Sequence, residues 1–429
     1  MADRVVDDFR SAYEPRGEPL DEPTLHRDAW RWVQARYRLT AWWVRVLVIF
    51  AASRVITTVI MLVYANNQAA NPWTGAKPDY FSFAAMWDSY WYYIVAVSGY
   101  PAVLPHGADG HVSENAWAFL PGFPAILRIF LAVGVPYQLA GVIIAVAFSA
   151  GAALLLYRLL ARVLPSGTAL FAIVLFCTGA TSPILQVGYA ESMQLFFLFL
   201  ALLLLQDRRY YLMIPVIAVA ALTRPTGLAF ALLLLFHALH RFVTRDRDAF
   251  PPRQRVAVVV AGLSSAILGA AWTVVAWIGT GSSSAYTDTE LAWRTGWIGY
   301  QELVPFQPWF QGAEWWLNWV RVPNPWLWGI VGMVLLIAVF AAFLFTPAVR
   351  RIGVDLRLWL AGYAIYLLAV FFPQTSTFRL LMPLAPALGA VAIPRSRGYR
   401  ISLIVLGIVG QVVWMYFCWW VDGYDWSPP

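Results

Sequence analysis

Lysine is almost missing from this chain: Lys77 is its single lysine, so the formal net charge of +7 rests on arginine. Cysteine is nearly as scarce. Cys177 and Cys418 are the two cysteines in 429 residues, both in apolar runs with no CxxC spacing and no histidine beside them. That speaks against a disulfide framework and against a thiolate zinc site. Charge of either sign is also thin, at 12% of residues, where soluble domains carry about 25%. No P-loop, GxSxG or HExxH run occurs, so the common phosphate-cradling, serine-nucleophile and zincin motifs are excluded.

What is present is apolar. Hydrophobic residues make up 60% of the chain and mean hydropathy is +0.63. Many separate runs approach the roughly 20 residues needed to cross a bilayer. The expected fold class is an all-α polytopic membrane protein. Spans are predicted near 44–64, 138–157, 168–187, 190–206, 210–223, 227–243, 256–279, 326–346, 357–373, 379–394 and 401–420. A shorter segment at 117–133, interrupted by Pro121 and Pro124, reads as re-entrant or broken. This gives about 11–13 transmembrane helices in a domain over 41–421, with two long polar excursions at 65–116 and 280–325. Residues 1–40 mix acids and arginines without an apolar core and read as a cytoplasmic tail rather than a cleavable signal peptide. Within it, residues 1–25 hold Pro15, Gly17, Pro19 and Pro23 and are expected to be disordered. Residues 422–429 form a short C-terminal tail.

Arginine placement predicts the orientation. Arg27, Arg31, Arg36, Arg38 and Arg45 precede the first span. Arg208 and Arg209, the group from Arg241 to Arg255, Arg350 to Arg357, and Arg395 to Arg400 mark further inner loops. Basic residues spread this way serve topology, so nucleic acid is not an expected partner. The excursions 65–116 and 280–325 then face outward, with the turns at 223–227 and 373–379. Arg158 and Arg162 fit only if 117–133 does not cross.

Asp207, Asp246, Asp248 and Asp355 fall among inner arginines and read as solvated loop acids. Asp79, Asp88, Asp109, Glu114, Glu191, Asp288, Glu290, Glu302 and Glu314 collect outside, where a reaction would have to occur. Asp88 stands out, in AAMWDSYWY at 84–92. A carboxylate among aromatics at a membrane boundary is suited to take a proton from a hydroxyl, and Trp91 and Tyr92 share its face on a helix. Glu191, in Gln186–Ser192, sits at the mouth of a membrane helix, where an acid needs a partner or water. It either caps that helix or contacts substrate. Arg224, in LTRPTG at 222–227, lies at an outer turn against the inside preference, as does Arg379 in STFR at 376–379. Guanidinium geometry suits phosphate, although an interfacial arginine also snorkels. Trp293, Trp297, Trp309, Trp315, Trp316 and Trp319 in the second excursion suit an interface belt or sugar stacking. No cofactor is demanded; a divalent metal would find ligands at His106, Asp109, His111 and Glu114.

An ordered series then resembles one family. It runs Trp87-Asp88-Ser89 with Trp91-Tyr92, Gly99-Tyr100-Pro101, Ala118-Phe119-Leu120-Pro121 with Pro124, Ser182-Pro183, and Tyr189-Ala190-Glu191-Ser192. Leu222-Thr223-Arg224-Pro225-Thr226-Gly227 and Phe378-Arg379 with Pro383 complete it. The series resembles the PIG-V mannosyltransferases, within the GT-C glycosyltransferases, over about residues 40–395. The resemblance implies a GT-C-type helical bundle that moves mannose from a polyprenyl-phosphate donor to an acceptor hydroxyl on the outer face, with inversion. It implies Asp88 as general base and Arg224 and Arg379 on the donor phosphate; Trp87, Trp91, Tyr92 and Glu191 are the expected substrate-binding residues, and no site residue is assigned to a metal. The arginine bias suggests a bacterial cell membrane. Expected partners are membrane lipids, the polyprenyl-phosphate mannose donor, and a glycolipid, lipoglycan or protein acceptor. The competing class is a transporter or flippase for a lipid-linked or anionic substrate, disfavoured by the lack of an internal repeat. A non-catalytic scaffold subunit is the third reading.

Overall fold

The computed structural model describes residues 40–421; the expectations for 1–39 and 422–429 lie outside them. The chain divides into a unit ending at Arg45 and a unit beginning at Val46. In the first, the Arg45 guanidinium donates to the Thr40 carbonyl from Nε at 3.1 Å and Nη2 at 2.8 Å. The site belongs wholly to the second.

Regular structure among the described residues is helical, apart from an isolated bridge between His106 and Val112. The longer helices are α1 (Trp42–Asn67), α2 (Asp88–Ser98), α3 (Gly122–Ala132), α4 (Tyr137–Ala161), α5 (Ser166–Thr178), α6 (Glu191–Gln206) and α7 (Tyr210–Thr223). They continue as α8 (Gly227–Val243), α9 (Pro252–Thr280), α10 (Ala285–Ile298), α11 (Pro308–Trp319), α12 (Pro325–Phe345), α13 (Val354–Val370) and α14 (Arg397–Trp414). Helices α1, α4, α9 and α12, and α14 with its π-turn extension to Trp419, run 26, 25, 29, 21 and 23 residues and are apolar enough to cross a bilayer. The protein is an integral membrane protein.

Proline and polar turns shorten the other apolar helices. The run expected as a single span at 168–187 ends its α-helix at Thr178 and restarts as a 3₁₀ turn at Ser182–Gln186. The run at 379–394 breaks into Thr377–Leu380, Met382–Ala387 and Leu388–Val391, because Pro383 and Pro386 have no N–H to give. The second interruption borders the site. The excursion at 280–325 is not a loop: it holds α10 and α11.

Helix α3, with 11 residues, is too short to cross. It lies on α2, where Arg128 Nε donates to the Ala96 carbonyl at 2.7 Å. Its first residue meets the end of α7, and a Cβ on Gly122 would stand 2.6 Å from Thr223 Oγ1. The next helix, α4, then descends to the arginine-bearing end, where Arg162 pairs with Asp207 at 2.8 Å. Arg158 and Arg162 therefore share that end with Arg208, which pairs with Asp248 at 2.7 Å.

Asp355 departs from its expected role. Instead of solvating a loop it holds buried His237 at 2.7 Å through Nδ1, while the Tyr210 hydroxyl meets His237 Nε2 at 3.0 Å. That relay ties α7, α8 and α13 together at the end remote from the site. At the near end α8 and α9 cross in close contact: a Cβ on Gly227 would stand 2.5 Å from the Gly269 nitrogen.

Candidate functional site

Four charged side chains meet where α2, α6, α7 and the 377–380 turn end. Arg379 Nη1 lies 2.5 Å from Asp88 Oδ2 and 2.9 Å from Glu191 Oε1. Arg224 Nη2 lies 2.5 Å from Glu191 Oε1 and 3.5 Å from Asp88 Oδ2. Two acids and two guanidiniums balance, which is what permits charges to sit in a largely dry place. Their side chains keep only 10% (Asp88), 1% (Glu191), 14% (Arg224) and 10% (Arg379) of their surface exposed.

Local sequence explains each position. Asp88 and Glu191 are the first residues of α2 and α6, where unpaired backbone N–H groups and the helix dipole favour a carboxylate. The helix expected around Asp88 starts at Asp88 itself. Arg224 caps the C-terminus of α7 in extended conformation, φ −147° and ψ 148°, because Pro225 bars its predecessor from the helical region. The side chain thereby leaves the helix axis and turns to the acids. Tyr189 braces the cluster from below: its hydroxyl accepts the Asp88 backbone N–H at 3.2 Å, and the Arg379 guanidinium lies over its ring at 5.1 Å.

A further brace comes from α13. Tyr366 donates its hydroxyl to the Pro225 carbonyl, Tyr363 to the Leu380 carbonyl at 2.8 Å, and the Trp359 indole to the Pro383 carbonyl at 2.8 Å. One helix face thus pins both arginine-bearing turns. Nothing in an apolar membrane helix announces such a role in the sequence.

Asp88, Arg224 and Arg379 line a cavity of about 350 Å³, within the range of small-molecule sites. Its far wall is α10, through Tyr286, Glu290, Trp293 and Arg294. Glu290 is an exposed residue, and its side chain opens onto the cavity. Removal from bulk water pushes its carboxyl up to about 7, against opposing pulls from the Tyr286 hydrogen bond and Arg224 and a further push from Asp88. Sequence reasoning passed over Glu290, one outer acid among several. The signal was there: Tyr286, Glu290 and Trp293, at i, i+4 and i+7, share one helix face.

The expected aromatics divide. Trp87 is packed in the core, its indole donating to the Trp419 carbonyl at 2.9 Å and its ring 4.3 Å from that of Trp73. Its φ of +59° is unusual for a bulky residue and costs about 1–3 kcal/mol, so these contacts hold Asp88 at a strained entry to α2. Tyr92 is buried against Phe119 and Phe123 at 5.3 and 5.0 Å. Trp91 stacks on Phe119 at 5.4 Å and meets Trp293 edge-on at 5.7 Å, so it backs the cavity wall. None of Trp87, Trp91, Tyr92 and Glu191 lines the cavity itself. Trp309 and Trp316 donate to the Leu367 and Pro373 carbonyls, each at 2.9 Å, and fasten α11 to the end of α13. Among the described residues no three His, Cys, Asp or Glu side chains cluster as metal ligands. His111 stacks on Tyr300 at 3.7 Å, and Asp109 accepts the His111 backbone N–H at 3.1 Å.

Neither a protein-family model nor a curated protein matches the chain. Among solved structures it is similar to the archaeal oligosaccharyltransferase AglB from Archaeoglobus fulgidus, in complex with an inhibitory peptide and a dolichol-phosphate, with a TM-score of 0.43 and 12% identity. The match covers 86% of this chain and 55% of that one, so this chain spans little more than half of that protein's length.

Proposed function

We propose that the protein is a membrane glycosyltransferase of GT-C type that moves mannose from a polyprenyl-phosphate donor to an acceptor hydroxyl on the extracytoplasmic side. The observation that carries this reading is the convergence of Asp88, Arg224 and Arg379 at one cavity, with Glu191 paired to both arginines behind it. The sequence motifs that hold them resemble the PIG-V family. Transfer to a hydroxyl needs a proton acceptor on one side of the sugar and cations for the departing phosphate on the other. The cluster contains both.

In a single inverting displacement the acceptor oxygen bonds to the anomeric carbon as the bond from that carbon to the phosphate oxygen breaks. The acceptor proton passes to Asp88, whose ion pairs in the cluster use Oδ2 and leave Oδ1 for the hydroxyl. The electron pair leaves with the phosphate oxygen, and Arg224 and Arg379 take up its charge. Glu191 is the counter-ion that holds both guanidiniums in place before donor arrives. No second catalytic carboxylate and no covalent intermediate is required. The positive-inside rule favours a cytoplasmic side for the arginine-bearing ends of α4, α6 and α8, which supports a cavity that opens outward. A bacterial cell membrane suits that arrangement.

Purified protein, labelled polyprenyl-phosphate mannose and a membrane extract as acceptor source test the reading. The expected products are free polyprenyl phosphate and a mannosylated acceptor in equal amounts. Donor carried intact across a vesicle membrane, without cleavage, would instead establish the flippase class and remove this one.

A further inference from the structure

The face of α10 that closes the cavity has no part in the scheme above, although Tyr286, Glu290 and Trp293 all line it. Glu290 lies one helical turn after Tyr286 on the same face of α10, and both line the cavity together with Asp88 and Arg224. The charged groups around it are thus Asp88 from α2, Arg224 and Arg379 from the two turns, and Arg294 on its own helix, with Tyr363 and Tyr366 of α13 across the cavity.

A phosphate and a sugar make opposite demands of such a wall. A phosphate anion is drawn to guanidiniums and repelled by an adjacent carboxylate. Uncharged sugar hydroxyls bond a carboxyl in either protonation state, since each state has acceptor oxygens and the neutral acid adds a donor. With the phosphate on Arg224 and Arg379, the part of a glycosyl phosphate that suits the Glu290 wall is the hexose ring. Trp293, held edge-on by Trp91 and Phe119 at 5.7 and 5.6 Å, supplies an aromatic surface beside it.

Resting on the donor reading above, we propose that Glu290, steadied by Tyr286 and flanked by Trp293, is the sugar subsite: it binds hydroxyls of the donor hexose and selects the glycosylated lipid over the bare lipid phosphate. Glu290 is a binding residue here, and Tyr286 positions it. The buried hydrogen bonds lost on truncation correspond to about tenfold in affinity.

The test compares two ligands of one polyprenyl length, polyprenyl phosphate and polyprenyl-phosphate mannose, bound to full-length protein in lipid nanodiscs. Glu290→Ala is expected to weaken mannosylated lipid about tenfold while bare lipid phosphate stays within about twofold of wild type. Retained phosphate binding shows that this variant is folded. Tyr286→Phe should fall between Glu290→Ala and wild type for the mannosylated ligand. Arg224→Ala should weaken both ligands.

Other outcomes overturn the inference in separable ways. If Arg224→Ala weakens both ligands but Glu290→Ala weakens neither, the sugar subsite is wrong and the phosphate seat stands. Equal weakening of both ligands by Glu290→Ala makes Glu290 a shaper of the cavity. An effect confined to acceptor KM assigns it to the acceptor. If Arg224→Ala changes neither ligand, the phosphate seat fails and the sugar subsite with it.

Discussion

Asp88, Glu191, Arg224 and Arg379 form a neutral quartet in which each acid touches both arginines. Roles within it separate by substitution. Asp88→Asn keeps the size and removes the proton acceptor, so turnover should drop roughly 10²–10⁴-fold with donor binding nearly intact. Retention of more than about a tenth of wild-type rate in a labelled-donor assay would take the base role from Asp88. Arg224→Ala should raise donor KM or abolish turnover, with Arg224→Lys intermediate, because an ammonium replaces a bidentate guanidinium poorly. The same order is expected at Arg379. Equal behaviour of the lysine and wild-type proteins in donor saturation would mean that the arginine merely reaches the interface. Glu290 carries a pH signature in stability. Desolvation pushes its carboxyl up to about 7 in the fold against an ordinary 4.5, so between these values the folded protein holds a proton that the unfolded chain releases. Stability therefore falls as pH rises from about 4.5 to about 7 and is level above. Thermal unfolding of Glu290→Gln across that interval should show a flatter profile than wild type, and an unchanged slope would mean that another group supplies it.

Among the elements, the junction of α2, α4 and the 182–190 segment leaves little room. A Cβ on Gly188 would stand 2.5 Å from Ser89 Oγ and 3.4 Å from both Ser89 Cβ and Gly141 Cα. Gly188→Ala should therefore displace Ser89, and with it neighbouring Asp88, lowering turnover more than it lowers stability. Pairing it with Ser89→Ala removes the clashing oxygen and leaves ordinary contacts, so the double variant should recover most of the loss. Additive losses in that cycle would show that the close approach is not what positions Asp88. The expectations that fared worst were at this scale too. Helix 166–178 stops where a full span was expected, and 377–391 crosses in three short pieces. The second break places Arg379 beside the cavity, the first gives Ser182 and Gln186 to buried Arg54, and hydropathy averages over both. Broken backbone at membrane depth is tolerated where it faces protein or a cavity.

For the whole molecule, the arginine distribution together with a non-crossing α3 predicts a cavity that opens outward. Single cysteines in place of Ala108, Ala132 and Ser283, all exposed, should react with an impermeant maleimide in intact cells. Labelling of all three only after permeabilisation would invert the orientation. Labelling of Ala108 and Ala132 from opposite sides would make 122–132 a crossing. The all-helical membrane architecture, five of its expected spans and the arginine-bearing ends were legible from residue order, because transfer of side chains into lipid is a local property of each run. So were Asp88, Glu191, Arg224 and Arg379, since a charge beside apolar runs is conspicuous in isolation. That these four form one cluster, that Trp87 and Tyr92 pack inside while Trp91 backs the wall, and that Glu290 shares the cavity with Asp88 were decided by tertiary structure. These facts depend on distances between residues far apart in sequence: Asp88 and Arg379 are 291 positions apart yet in contact at 2.5 Å. A run of residues states how much it prefers lipid to water; only the packed helices state which of its polar groups meet.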